Sequence, residues 1–251
     1  MARRRHLKNA PITEAVVELR ISPRGPSART DIKQLASLPG KLAERYPRSM
    51  PVRTAKFGFS VQGGQPTVAQ PQDLGVYAYR FESGDGKQIV LFRSDGFSFS
   101  RLKPYTEWTK MLSEAQELWK VYKERVNPES VTRIAARYIN SINIQLPIDD
   151  FKDYLNAPPL LPKSAPQSIS GFLTRVMVHE PSRDLNATIT QAMERGTEPN
   201  TVNIILDVDA YKLGHFVPES KELWTILGQL RNLKNTIFFG SITEKTARLF
   251  E

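Results

Sequence analysis

Asp207 and Asp209 are the carboxylates whose spacing comes nearest to a chemical site. They stand two apart in TVNIILDVDAY, a run that reads as a β-strand, so both project from one face. Paired carboxylates hold Mg²⁺ in many phosphoryl-transfer and nuclease sites, which makes a metal-dependent nuclease one reading. The plainer reading puts Ile204, Leu206 and Val208 in the core and leaves both aspartates in solvent. No second acidic or histidine cluster joins them. His6, His179 (followed by Glu180) and His215 form no HExxH arrangement, whereas a hydrolytic zinc site asks for three converging ligands. No GxSxG frame surrounds a serine. Gly63–Gly64 and the Gly84/Gly86 pair lack phosphate-loop spacing and read as turns. The absence of cysteine excludes disulfides, thiolate nucleophiles and cysteine-ligated metals. The expectation is a protein without catalytic residues, metal or cofactor, and so not an enzyme.

Cations give the second set of candidates. Arg133 and Arg137 lie on one face of a strand beside Tyr138 and Asn140, a pattern that suits an anion groove or a stacking surface for single-stranded bases. Salt-bridged or solvated arginines are the commoner outcome of such a pattern. The net charge is +9, and residues 1–56 hold all of the excess, with 13 Lys and Arg against 4 Asp and Glu. The other 195 residues balance 22 against 22. Arg3, Arg4, Arg5, Lys8, Arg24, Arg45, Arg48 and Arg53 are therefore the candidates for attracting nucleic acid or an acidic protein, against the alternative of a plain solvated face.

The elements that carry these residues are legible from periodicity. The strongest signal is a helix after Pro104, with Thr106 as its cap. Trp108, Met111, Leu112, Ala115, Leu118, Trp119, Tyr122 and Val126 fall on one stripe, and Asn127-Pro128 ends it. Two tryptophans on one stripe suit a ligand platform, but core packing is the simpler reading. Strands are expected at PITEAVVELRI, VRTAKFGFSVQ, VYAYRF, KQIVLFR and GFSFSRL, with turns at ESGDG and Asp95-Gly96. VTRIAARYINSINI is long for one strand and calls for a bulge near Asn140. Thr30 or Asp31 would cap an earlier helix broken at Pro39-Gly40. The later strands are FLTRVMVHE, LNATITQAME and TVNIILDVDAY, followed by the helix PESKELWTILGQLRNLKN. NTIFFGSI reads as a strand or turn, and Thr243 caps a last short helix.

The expected fold is α+β. Antiparallel sheets pack on long amphipathic helices in two similar halves, each with three strands and then a helix. Residues 1–10 read as a mobile basic arm, 11–146 as the first half, 147–170 as a proline-rich linker, and 171–251 as the second half packed on the first. No apolar run approaches the roughly 20 residues of a membrane span, and MARRRH is not followed by the apolar region of a signal peptide. The expectation is a cytoplasmic protein without membrane contact.

Five segments in order, PITEAVVELR, DGFSFSRLKPYTEW, RYIN, ILDVD and LKNTIFFGSITEKTARLF, resemble a sporadically distributed bacterial family of conserved hypothetical proteins of about 250 residues. The resemblance spans the chain and implies a bacterial accessory protein, of the kind found in mobile elements or antiviral defence systems. It carries no activity and no functional residue. The leading expectation is a non-enzymatic binding or assembly protein with a protein partner or self-association. A nucleic-acid-binding protein using the basic N-terminal segment and the Asp207/Asp209 nuclease stand as alternatives.

Overall fold

Residues 1–24, 32–56, 59–62, 65–68, 72–105, 107–196 and 198–251 are described in the computed structural model. Among the described residues there are eleven strands: β1 (Ile12–Ser22), β2 (Arg48–Lys56), β3 (Phe59–Gln62), β4 (Gln65–Val68), β5 (Gln72–Glu82), β6 (Gln88–Arg93), β7 (Gly96–Leu102), β8 (Ser130–Gln145), β9 (Leu173–Glu180), β10 (Leu185–Arg195) and β11 (Thr201–Phe216). The described helices are α1 (Gly40–Arg45), α2 (Trp108–Val126), α3 (Glu222–Ser241) and α4 (Glu244–Arg248), with short 3₁₀ turns at Ile32–Leu35 and Phe151–Asp153. Nine strands form one antiparallel sheet in the order β2-β5-β6-β7-β1-β8-β11-β10-β9, and β3 pairs with β4 separately.

This corrects the expected fold class. The structure is dominated by a single continuous sheet, not by sheets packed on long helices. The reason lies in the two longest strands. β8 and β11, each of 16 residues, pair from Thr201↔Gln145 to Phe216↔Val131, while the other edge of β8 pairs with β1. That central pairing joins what were read as separate halves into one hydrogen-bonded layer. α1 and α4 have only six and five residues, so α2 and α3 supply nearly all the helical cover.

One face of the sheet is apolar because its strands alternate. Ala15, Val17 and Leu19 of β1, Phe97 and Phe99 of β7, and Ile134, Ala136 and Tyr138 of β8 are all buried. Against them α2 packs Met111, Ala115, Leu118, Trp119 and Tyr122, and α3 packs Leu223, Ile226, Leu227 and Leu230. Each large side chain among them contributes about 1.5–3 kcal/mol through burial. Trp119 also donates its indole N–H to the Pro218 carbonyl at 3.1 Å. β7 approaches β1 so closely at the Asp95-Gly96 turn that a Cβ on Gly96 would lie 2.5 Å from the Leu19 carbonyl oxygen.

α2 starts at Trp108 with no side-chain cap and ends where Asn127 adopts φ 46°, just before Pro128. Thr106, Thr30, Asp31 and Gly63–Gly64, given roles in the sequence reading, lie outside the described residues. The irregularity expected near Asn140 falls on its neighbour instead. Ile12 pairs with Asn140 and Glu14 with Ile139, so Thr13 is the extra residue on β1. The NTIFFGSI segment is helical, being the last turns of α3. Burial outweighs the strand preference of its Ile-Phe-Phe run, because Phe238, Phe239 and Ile242 pack with Val202, Ile204 and Leu206 of β11.

The first ten residues are not a free arm. Ala2 and Leu7 are buried among Phe238, Phe239 and Ile242. The Ala2 N–H donates to the Phe239 and Ile242 carbonyls, at 3.1 and 3.0 Å, and the Asn9 N–H to Phe250 at 3.0 Å. Two apolar residues hidden among four cations were enough to seat the segment, a pattern that helical or strand periodicity does not register.

Candidate functional site

The polar face of the sheet brings together the candidates that the sequence had kept apart. The β8–β11 register sets Asp209 opposite Arg137 and Asp207 opposite Ile139. The side chains then pair diagonally. Arg137 Nη2 lies 2.6 Å from Asp207, and Arg133 Nη2 lies 2.7 Å from Asp209. Arg133 also reaches Glu18 at 2.5 Å and stacks over the Tyr211 ring, 4.6 Å from its centroid. Arg93 reaches the same Glu18 at 3.1 Å, and Arg20 binds Glu18 and Asp95, both at 3.2 Å. Burial pushes the Glu18 carboxyl up, but the Arg20 hydrogen bond and the Arg93 and Arg133 charges outweigh it and hold it below the usual carboxylate range. Four arginines thus meet four carboxylates. The groove has little charge left for an anion, and the aspartate oxygens that a metal would use already hold guanidinium groups.

The other basic candidates separate in the same way. Arg45 is paired with Glu114 and Glu117, Arg48 with Glu82 at 2.9 Å, and Arg53 with Asp73 at 2.5 Å. Arg5 bridges Glu244 at 2.8 Å and Glu251 at 2.6 Å. The Arg3 backbone N–H donates to Glu244, and Arg24 is exposed. The histidines do not converge. His179 contacts Asn186 at 3.2 Å, and His215 contacts Ser130 at 3.4 Å. Among the described residues no three His, Asp or Glu side chains are grouped to hold a metal ion.

Charge that is not neutralised collects elsewhere, in a cleft of about 900 Å³ between residues 4–12, the start of α2 and the middle of α3. Arg4, His6, Lys8, Arg231 and Lys234 line it, together with the already paired Arg5, against one carboxylate, Glu107. Glu107 itself lies 3.4 Å from Lys110. Among the described residues, Arg4, Lys8, Arg231 and Lys234 have no carboxylate within ion-pair distance. Arg4 instead donates to the Asn232 amide oxygen at 2.9 Å.

Lys234 is the unusual member. It is only 7% exposed, and its ammonium sits 3.4 Å from the centroid of the Tyr138 ring. It is inside because α3 places it on the stripe Leu223, Leu227, Leu230, Lys234, Phe238, which faces the sheet. Burial, together with the charges of Arg231 and Arg4, lowers its pKa to about 7. A cation–π contact offsets part of the cost of burying an ammonium. The floor around it is ordered by hydrogen bonds. The Tyr105 and Tyr138 hydroxyls lie 3.0 Å apart, and the Asn140 amide donates to the Leu206 carbonyl at 2.9 Å. Burial raises the pKa of both tyrosines, so they stay neutral at physiological pH. Trp108 forms part of the wall, with Arg231 over its ring at 5.8 Å.

Of the sequence candidates, then, the fold brings Arg4, Arg5 and Lys8 to this cleft, while Arg133 and Arg137 sit on the neutral face. Arg231 and Lys234 were missed. The signal was present, since a lysine replaces an apolar residue on the inner stripe of an amphipathic helix. Asn140, read as an interruption of an apolar strand face, marks the same place from the sheet side. A second cavity, about 950 Å³, lies beside the proline-rich segment and is lined by Leu146, Phe151, Pro158, Leu160 and Met193. It gathers no comparable set of unpaired charges.

Compared with known proteins, the chain matches no protein-family model and no curated sequence. No described helix is long and apolar enough to cross a membrane.

Proposed function

We propose that this is a non-enzymatic binding protein whose binding centre is the cleft under residues 4–12, and that its ligand is an anion. One observation carries the reading: a buried lysine without a carboxylate partner faces a cavity ringed by further cations. A buried unpaired ammonium is costly, so it is retained where a ligand supplies the missing charge. The bacterial accessory role implied by the sequence resemblance, and a cytoplasmic location, belong to the same proposal.

The test is thermal stability with and without tripolyphosphate at low ionic strength. The parent should be stabilised by several degrees, and Lys234→Met should lose the response. Arg137→Ala, on the neutral face, should keep it. No shift in the parent, or an equal shift in Lys234→Met, would remove the cleft from consideration.

A second reading, nucleic-acid binding, is favoured by the excess of +9 in residues 1–56. Its candidates narrow to Arg3, Arg4, Lys8 and Arg24, since the other named arginines of that segment each have a carboxylate partner. Binding of this kind should be sequence-poor and weaken steeply with salt.

A further inference from the structure

Resting on the cleft as the binding centre, we infer that the ligand enters end-on: a small phosphate monoester whose terminal dianionic head reaches Lys234 and Arg231 while an aromatic or apolar body rests against the walls. Depth supports this. Arg4, His6 and Lys8 at the rim are exposed, Arg231, Tyr105 and Trp108 are half-buried, and Lys234 and Asn140 at the floor are buried. A phosphodiester within a chain has a substituent on either side and a single charge, so it can lie along the rim but cannot bring that charge to the floor. A terminal group can. Two cations at depth, Arg231 and Lys234, match the two charges of a monoester, and an ammonium and a guanidinium are the usual donors to phosphate oxygens. The walls are less polar: Tyr105, Trp108, Ile12 and Phe238 line the space beside the cations. A cleft of about 900 Å³ is within the range that holds ligands of nucleotide size.

Proton linkage follows from the same geometry. The charged and titratable groups around Lys234 are Arg231 on its own helix, Arg4, Arg5, His6 and Lys8 from the N-terminal segment, Glu107 ahead of α2, and Tyr105 and Tyr138 below. With its pKa near 7, Lys234 is largely neutral at pH 8.5 in the free protein. A bound dianion favours the ammonium, so binding takes up a proton. The phosphate itself titrates near pH 6 and contributes nothing above pH 8. Affinity should therefore fall by up to about tenfold per pH unit above pH 8.

The experiment is isothermal titration of the full chain with adenosine 5′-monophosphate, inorganic phosphate, adenosine and 3′,5′-cyclic adenosine monophosphate at pH 8.5, in two buffers of different ionisation enthalpy. The 5′-monophosphate should bind at least about tenfold more tightly than each of the others, with uptake approaching one proton. Lys234→Met should abolish the uptake and weaken binding at least about tenfold, and Arg231→Gln should weaken binding with a smaller uptake remaining, since the Arg231 charge is one cause of the lowered Lys234 pKa. Circular dichroism checks that both variants fold. Equal affinity for the cyclic diester or for adenosine would overturn end-on capture. If tripolyphosphate or phosphate binds in a Lys234-dependent way but the monophosphate gains nothing, the anion cleft stands and the monoester assignment falls. If none of the anions binds, both fall.

Discussion

Lys234 holds an ammonium where water is scarce, and its cost has a defined pH dependence. Its folded pKa, about 7, is below the ordinary lysine value, so the unfolded chain binds the extra proton between about pH 7 and 10.5. Stability should rise with pH through that window, and the penalty is fully present below pH 7. Lys234→Met, which keeps the volume and removes the charge, should stabilise the protein at pH 6 by roughly 2–5 kcal/mol. Urea denaturation at pH 6 and pH 9 checks this, and the gain should shrink at the higher pH. Glu18 behaves oppositely. Its depressed pKa means that its stabilising effect is present above the unfolded carboxylate value and is lost as pH falls through the folded one. Glu18→Gln leaves Arg93 and Arg133 without their shared carboxylate and should cost about 1–3 kcal/mol at pH 7. The difference from the parent should shrink as the pH falls below the ordinary carboxylate range. Asp207→Asn with Asp209→Asn should lower stability modestly, because Arg137 is half exposed, and should leave anion binding in the cleft intact. Loss of binding in that double variant would return attention to the polar sheet face.

At the scale of the elements, the positions that periodicity reports are the ones that packing enforces. Trp119, on the α2 stripe, sits against Phe97 and Tyr122 with ring centroids at 6.0 and 5.5 Å. Trp119→Ala should cost roughly 3–5 kcal/mol in chemical denaturation, whereas Trp108→Ala, at the cleft wall, should cost less and alter ligand binding. β1, β5, β6, β7 and the start of α2 were legible because hydrophobic alternation and turn residues agree there. α3 was legible only to Asn235. Beyond it, Thr236-Ile237-Phe238-Phe239 has the composition of a strand, and only contact with β11 and with Ala2 and Leu7 makes it helical. The docking of residues 1–10 was hidden for a related reason: Leu7 is one apolar residue among charges, and the segment's backbone hydrogen-bond partners, Phe239, Ile242 and Phe250, lie more than 200 positions away. Leu7→Asp should release that segment, seen as new proteolytic sensitivity near Arg5 and Lys8. It should also weaken binding in the cleft, whose roof the segment forms.

For the molecule as a whole, the central question was how β8 and β11 relate. Their sequences show two long strands with carboxylates on one and arginines on the other, yet no local pattern fixes their register. Once Asp209 stands opposite Arg137, the nuclease candidate and the anion-groove candidate neutralise each other, and one sheet replaces two. Net charge then matters by where it stays unpaired. The basic N-terminal segment folds back over α3, so Arg4 and Lys8 join Arg231 and Lys234 from the far end of the chain in one concave place. Sequence composition located the positive segment, but not the surface it would complete, because that depends on a contact between residues 2–9 and 239–250.

The most direct measurement is the titration of Lys234 itself. With ¹³Cε-labelled lysine, its resonance can be assigned by comparison with Lys234→Met and followed from pH 5 to pH 11, with and without tripolyphosphate. The midpoint should lie near 7 in the free protein and rise clearly when the anion is present. A midpoint at the ordinary lysine value, unmoved by the anion, would contradict the anion cleft.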